Sequence, residues 1–147
     1  MKELRNKIII NKATENDVEG IMEVLESAWF LQDKEWAKEV ITKLFGMENY
    51  VLLVAKKGDI VAGFIDFFVV PSISEKWNEA RILNFFVHKD FQGKGVGSKL
   101  LNAVTKMTDE MGVKELFVET TKENQKAVHF YKKHGFTNEY LLLERAK

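Results

Sequence analysis

The sequence contains no cysteine. That absence removes a disulfide framework, thiolate catalysis, a thiol-based acyl-enzyme and every cysteine-ligated metal site, and it suits a reducing compartment. Proline occurs once, at Pro71, and no repeat, low-complexity stretch or linker-like composition divides the chain. An excess of one charge is missing too. The 22 Lys and Arg balance the 22 Asp and Glu, whereas a nucleic-acid-binding domain carries a basic surplus. The apolar run near the N-terminus is only Ile8 to Ile10, too short for a secretory core or a membrane span. The expected setting is the cytoplasm, with neither nucleic acid nor membrane as partner. What is abundant is core material: 46% hydrophobic residues and 11 Phe in 147 positions. That supplies one core and leaves too little chain for two, so residues 1–147 are expected to form a single domain.

Periodicity orders the elements. Ile8, Ile9 and Ile10 read as a short strand. Thr14 and Asp17 resemble a capping box with Asp in the Glu or Gln position. Behind them Val18, Ile21, Met22, Leu25 and Trp29 fall at helical spacing. A second helix over residues 34–45 would present Trp36, Val40, Ile41 and Leu44. Residues 50–55 and 60–70 are β-rich runs around Lys56-Lys57-Gly58-Asp59, a hairpin signal. Residues 71–79 read as a polar loop. A strand over residues 81–87 leads to a helix over 95–111, striped by Val96, Leu100, Leu101, Val104, Met107 and Met111 and stopped by Gly112. Residues 115–120 form a strand, 126–134 a short helix stopped by Gly135, and 140–143 a last strand. The unit from 81 to 120 is a strand–helix–strand crossover, which favours two parallel neighbours.

The chemistry-bearing stretch runs from Phe85 through Gln92-Gly93-Lys94-Gly95-Val96-Gly97-Ser98. It leaves a strand, turns through three glycines and enters a helix. Glycines allow close backbone approach, and the helix start offers unpaired N–H donors that suit a phosphate or diphosphate; Lys94 adds a cation. The spacing is wrong for a Walker-type loop. A dinucleotide fingerprint, which would point to a nucleotide-binding oxidoreductase, needs a glycine where Ser98 stands, and Glu115 only weakly mimics its ribose-binding acid. The pattern Gln/Arg-x-x-Gly-x-Gly/Ala fits Gln92, Gly95 and Gly97. Downstream, Asn124, Ala127, Phe130, Tyr131, Gly135 and Phe136 form a second ordered motif.

With these two motifs in this order, the chain resembles the GNAT superfamily of N-acetyltransferases, closely over residues 83–136. The resemblance implies an α/β fold: a central mixed, mostly antiparallel sheet with a splayed parallel strand pair, flanked by helices on both faces. It implies acetyl-coenzyme A as cosubstrate and a primary amine of a small molecule or peptide as acceptor, in a ternary complex. Backbone groups of Phe85, Phe86 and Val87 would bond the pantetheine arm, and residues 92–98 (Gln92, Gly93, Lys94, Gly95, Val96, Gly97 and Ser98) would hold the diphosphate. Asn124 would bond the coenzyme while capping its own helix. Tyr131 is the candidate proton donor to the departing thiolate, and a backbone N–H of the splayed strand, Val87 foremost, the oxyanion donor. Glu119 is the candidate base, with ordered water as the alternative.

His88, His129 and His134 show no ligand spacing, so no metal is expected. Trp29, Phe30, Trp36 and Trp77 are candidates to line an acceptor cleft, and Glu26, Asp33, Glu75 and Glu79 to attract a cationic amine. The family usually ends in two strands after the Gly-Phe corner, whereas residues 137–147 hold one at most. The acceptor wall would then be open or completed by a partner subunit, as in a homodimer. A coenzyme A-binding sensor or subunit without catalysis is the alternative of another class.

Overall fold

The structure, a computed structural model, describes residues 6–147. Five strands lie in sequence order across one sheet: β1 (Ile8–Lys12), β2 (Tyr50–Lys57), β3 (Ile60–Pro71), β4 (Asn78–Val87) and β5 (Glu115–Val118). Neighbours are antiparallel except β4 and β5, which run parallel. The β2–β3 hairpin turns through Gly58 at φ 61°. A parallel pair needs a crossover, and α3 (Val96–Glu110) supplies it.

Helices α1 (Val18–Ala28) and α2 (Lys34–Leu44) cover one face of the sheet, and α3 and α4 (Gln125–Lys133) cover the other. This two-sided cover explains why β2 and β3 read as nearly continuous apolar runs. Leu53, Ile65 and Phe67 pack with Leu100, Leu101 and Val104 of α3, while Leu52, Val54 and Phe64 pack with Ile21, Met22 and Val24 of α1. Burying each such side chain contributes about 1.5–3 kcal/mol.

The capping box forms as expected. The Thr14 N–H donates to Asp17 Oδ2 at 2.8 Å, and Asp17 Oδ1 accepts from Lys56 Nζ at 2.8 Å, which ties the start of α1 to β2. Burial by itself would raise the Asp17 pKa. The Lys56 ammonium and the Thr14 N–H outweigh it and hold the carboxyl below its ordinary value.

Three expectations are corrected. β4 starts at Asn78, inside the stretch assigned to a loop, because it pairs with Pro71 at one edge and reaches Glu115 of β5 at Glu79 on the other. Trp36 is 63% exposed, and Ile41 fills the apolar stripe of α2 instead. The strand expected over residues 140–143 does not form; residues 136–147 contain neither helix nor strand. A strand needs a partner for its row of backbone groups. Tyr140 leans on Phe117, ring centroids 5.9 Å apart, but Leu141 and Leu143 are 81% and 82% exposed. Four consecutive apolar residues alternate onto both faces of an extended chain, and no layer of this sheet buries either face. The outer edge of β5 is therefore unpaired among the described residues.

Candidate active site

The site begins where β4 parts from β5. Parallel pairing stops at Ile82 and Val118, while β4 continues beside β3 to Val87. On the β3 side the register shifts at the same place: Asp66 alone faces Leu83 and Asn84, a β-bulge. Asp66 is 2% exposed and fully engaged. Its Oδ1 accepts the Asn84 N–H at 2.7 Å, and its Oδ2 accepts Asn84 Nδ2 at 2.7 Å and the Tyr50 hydroxyl at 2.6 Å. Burial, then the Asp66 charge and hydrogen bond, push the Tyr50 phenol far above its ordinary pKa, so it stays a donor. The bulge bends β4 away just as β5 ends.

Beyond the bulge, hydrogen-bond alternation decides which backbone groups are free. The His88 N–H donates to Ala62 at 2.8 Å, which makes Gly63–Val87 a non-hydrogen-bonded pair and Phe64–Phe86 a bonded one. Phe86 thus commits its backbone to β3, while Phe85 and Val87 turn theirs toward the gap left by β5. The Val87 carbonyl is met there by Gln92 Nε2 at 3.2 Å. Of the three candidate strand residues, two face the gap. The side chains alternate as well: Phe85 and Val87 pack toward α3 and α4, and Phe86 toward α1, with Trp29 at 6.3 Å between ring centroids.

The glycine turn sits at the far end of this gap. Gly93 and Gly95 adopt φ of 75° and 80°, the left-handed region, and nothing lies within 4 Å of where a Cβ would stand on either. Gly95 is the N-cap of α3, and the first intrahelical bond runs from the Lys99 N–H to the Gly95 carbonyl. The N–H groups of Val96, Gly97 and Ser98 have no partner among the described residues, as at any helix start. Gly97 faces the strand and α4: a Cβ there would make ordinary contact with Phe85 and Phe130, each at 3.6 Å. Lys94 Nζ stands 5.7 Å from the Phe91 ring.

Helix α4 closes the other side. Asn124 caps it, its Oδ1 accepting the Ala127 N–H at 3.2 Å. Tyr131 packs with ring centroids 6.4 Å from Phe85 and 5.7 Å from Phe136. Burial raises its phenol above the ordinary value, so it holds its proton at neutral pH. The Tyr131 hydroxyl bonds no described residue, yet among the described residues no buried side-chain polar atom lacks a partner. It therefore opens onto accessible space. Glu119 stands one residue past β5, exposed at the mouth of the fork.

Phe85, Val87, Gln92, Gly97, Ser98 and Tyr131 thus lie along one stretch of the fork, and Asn124 stands at the start of the helix that carries Tyr131. Tyr50, Asp66 and Asn84 were not found in the sequence. The available signal was an acid inside the apolar run of residues 60–70, where only a satisfied carboxylate is tolerable. Among the described residues no cluster of three or more His, Asp or Glu suits a metal, and no helix is long and apolar enough to cross a membrane.

Comparison with known proteins gives the chain that carries this site a class. The acetyltransferase (GNAT) family profile matches residues 18–136, and the chain belongs to that family, whose members normally use acetyl-coenzyme A. An uncharacterized N-acetyltransferase of Methanocaldococcus jannaschii is 28% identical over 137 residues, covering 86% of this chain and 59% of that protein. An amino-acid acetyltransferase of Yersinia pseudotuberculosis is 29% identical over 133 residues, covering 87% of this chain and 26% of that protein. The chain thus spans less than two thirds of either relative. Among solved structures, a transcriptional regulator from Bacillus halodurans superposes with TM-score 0.85 at 21% identity, over 96% of this chain and 100% of that one. An aminoglycoside acetyltransferase from a soil metagenomic sample superposes at 0.77 and 23% identity, over 95% of each chain. Both share the fold: a mixed sheet with one parallel pair and helices on either face.

Proposed function

We propose that this chain is a single-domain N-acetyltransferase that moves an acetyl group from acetyl-coenzyme A directly to a primary amine of a small molecule or peptide. The observation that carries the proposal is the convergence of two sets of unpaired backbone groups. Phe85 offers its N–H and carbonyl and Val87 its N–H along the fork, the Val87 carbonyl being taken by Gln92, and Val96, Gly97 and Ser98 offer N–H donors at its end. A pantetheine arm presents amides for the first set, and a diphosphate suits the second. Gln92, Gly93, Lys94 and Gly95 complete the diphosphate turn, and Asn124 binds from α4.

In the reaction, the ammonium loses a proton to Glu119 or to water, the amine attacks the thioester carbonyl, and the nitrogen sheds its second proton to solvent as the tetrahedral intermediate collapses. The Val87 N–H, in the gap, stabilises the oxyanion. Collapse breaks the carbon–sulfur bond, and Tyr131 gives its proton to the leaving thiolate. Burial serves this role by keeping the phenol protonated until the sulfur needs it. The amide and free coenzyme A leave, and the tyrosinate regains a proton from solvent. The chain is taken to act in the cytoplasm, without nucleic acid or membrane.

The test is thiol release from acetyl-coenzyme A across amino acids, aminoglycosides, polyamines and peptide N-termini, with acetylation followed by mass. Amine-dependent release that drops in Tyr131→Phe is the expected result. Binding of coenzyme A with silence toward every acceptor would instead identify a coenzyme-binding sensor or subunit.

A further inference from the structure

His134, which the pattern of residues leaves without a role, bridges the end of α4 to the start of α3. Its Nδ1 lies 2.8 Å from the Phe130 carbonyl, and its Nε2 lies 3.1 Å from Ser98 Oγ, the third residue of α3. The ring is stacked against Phe130 at 4.4 Å between centroids. A carbonyl only accepts, so Nδ1 carries hydrogen in either charge state. The neutral ring then has its lone pair on Nε2, and the Ser98 hydroxyl must donate to it. That consumes the one hydrogen the hydroxyl has, and it leaves only oxygen lone pairs for a neighbouring anion. When the ring is protonated, both nitrogens donate. Ser98 Oγ then accepts from Nε2, and its own hydrogen is released without any heavy atom moving.

We propose that His134 is a positioning residue that sets the polarity of Ser98 toward the diphosphate; this rests on the coenzyme reading above. The neutral imidazole turns Ser98 into an acceptor, which repels phosphate. The imidazolium turns it into a donor and brings a positive charge to the same helix start, so coenzyme binding tightens as pH falls. Histidine is the side chain whose charge ordinarily changes between about pH 5 and 8. The charged residues around this bridge are Lys94 and Lys99 beside Ser98, and His129, Lys132 and Lys133 on α4. Glu139 pairs with Lys132 at 3.6 Å, and His88 Nδ1 accepts the Asp90 N–H at 3.0 Å on the strand side. Among the described residues no carboxylate lies within 4.0 Å of His134 to lock its charge.

The experiment is calorimetric titration of the whole chain with dephospho-coenzyme A from about pH 8 to pH 5.5. This probe keeps the diphosphate but lacks the terminal phosphate monoester, whose second ionisation near pH 6 would mask the effect. The wild type is expected to tighten about tenfold, the scale of one hydrogen bond to a charged group. His134→Gln, neutral throughout, should bind as the wild type does near pH 8 and stay flat. Ser98→Ala should lose most of the slope, and His129→Gln should keep it. A slope shared by wild type and His134→Gln, or a flat wild type, overturns the proposal while leaving the coenzyme reading intact. No binding at millimolar probe at any pH removes both.

Discussion

Replacing Asp66 with alanine tests the link between the buried network and the fork. The carboxylate accepts three hydrogen bonds of 2.6 to 2.7 Å, and a bond to a charged group contributes about 1.5–3 kcal/mol. The loss is partly offset, because a charge no longer has to be held out of water and the exposed Asn84 side chain rehydrates. The Tyr50 hydroxyl, buried beside it, keeps no partner, which costs about 1–3 kcal/mol. The net destabilisation expected is about 3 kcal/mol, or roughly 6–12 °C in Tm for a chain of this length. Urea unfolding checks the figure, with the midpoint shifting at constant slope. Asn84→Ala, which keeps the backbone N–H bond to Asp66, should cost about 1 kcal/mol. Both variants should weaken coenzyme A binding, Asp66→Ala more, since the bulge turns Phe85 and Val87 into the gap. Stability within 1 kcal/mol of wild type for Asp66→Ala, or lost stability with undiminished coenzyme affinity, would refute the reasoning.

Tyr131→Phe should keep the fold, because the hydroxyl bonds no described residue, while kcat falls about 100-fold or more; steady-state kinetics with a fixed acceptor decides. Glu119→Gln should lower kcat and leave the KM for acetyl-coenzyme A unchanged, as its exposed position past β5 lies off the diphosphate turn. Tyr50 and Tyr131 both have raised phenol pKa values. Their stabilisation is complete below the unfolded-chain value near 10 and declines as pH rises above it. The ultraviolet tyrosinate absorbance of Tyr50 should therefore appear only with alkaline unfolding, and that of Tyr131 at a pH above a free tyrosine's. Gly63→Ala would place a Cβ 2.9 Å from the Phe86 carbonyl and 3.2 Å from Leu100. It should shift β4 against α3 and reduce both Tm and coenzyme affinity.

Much of the site was legible because its signals are local. The glycines of the turn, the cap at Asn124 and the stripe of α3 each act over a few residues, and helix and strand periods translate them directly into geometry. The splay itself was inferred only through resemblance. Its physical agent is Asp66 reaching Tyr50 and Asn84, contacts 16 and 18 positions apart along the chain. No spacing rule covers such a pair. Trp36 misled for the opposite reason: it sits at helical spacing, but α2 turns Ala37, Ile41 and Leu44 to the core and Trp36 outward. Residues 140–143 have strand composition, yet a strand also needs a neighbour, and composition does not supply one.

By itself the sequence determined the element order through most of the chain, the glycine turn at the start of α3 and the cap of α4, because each depends on short-range chain geometry. Tertiary structure alone decided which backbone groups are free. Phe85 and Val87 face the gap and Phe86 does not, because the register against β3 sets hydrogen-bond parity. It also decided that His134 meets Ser98, 36 positions away, a contact made only when α4 folds against the start of α3.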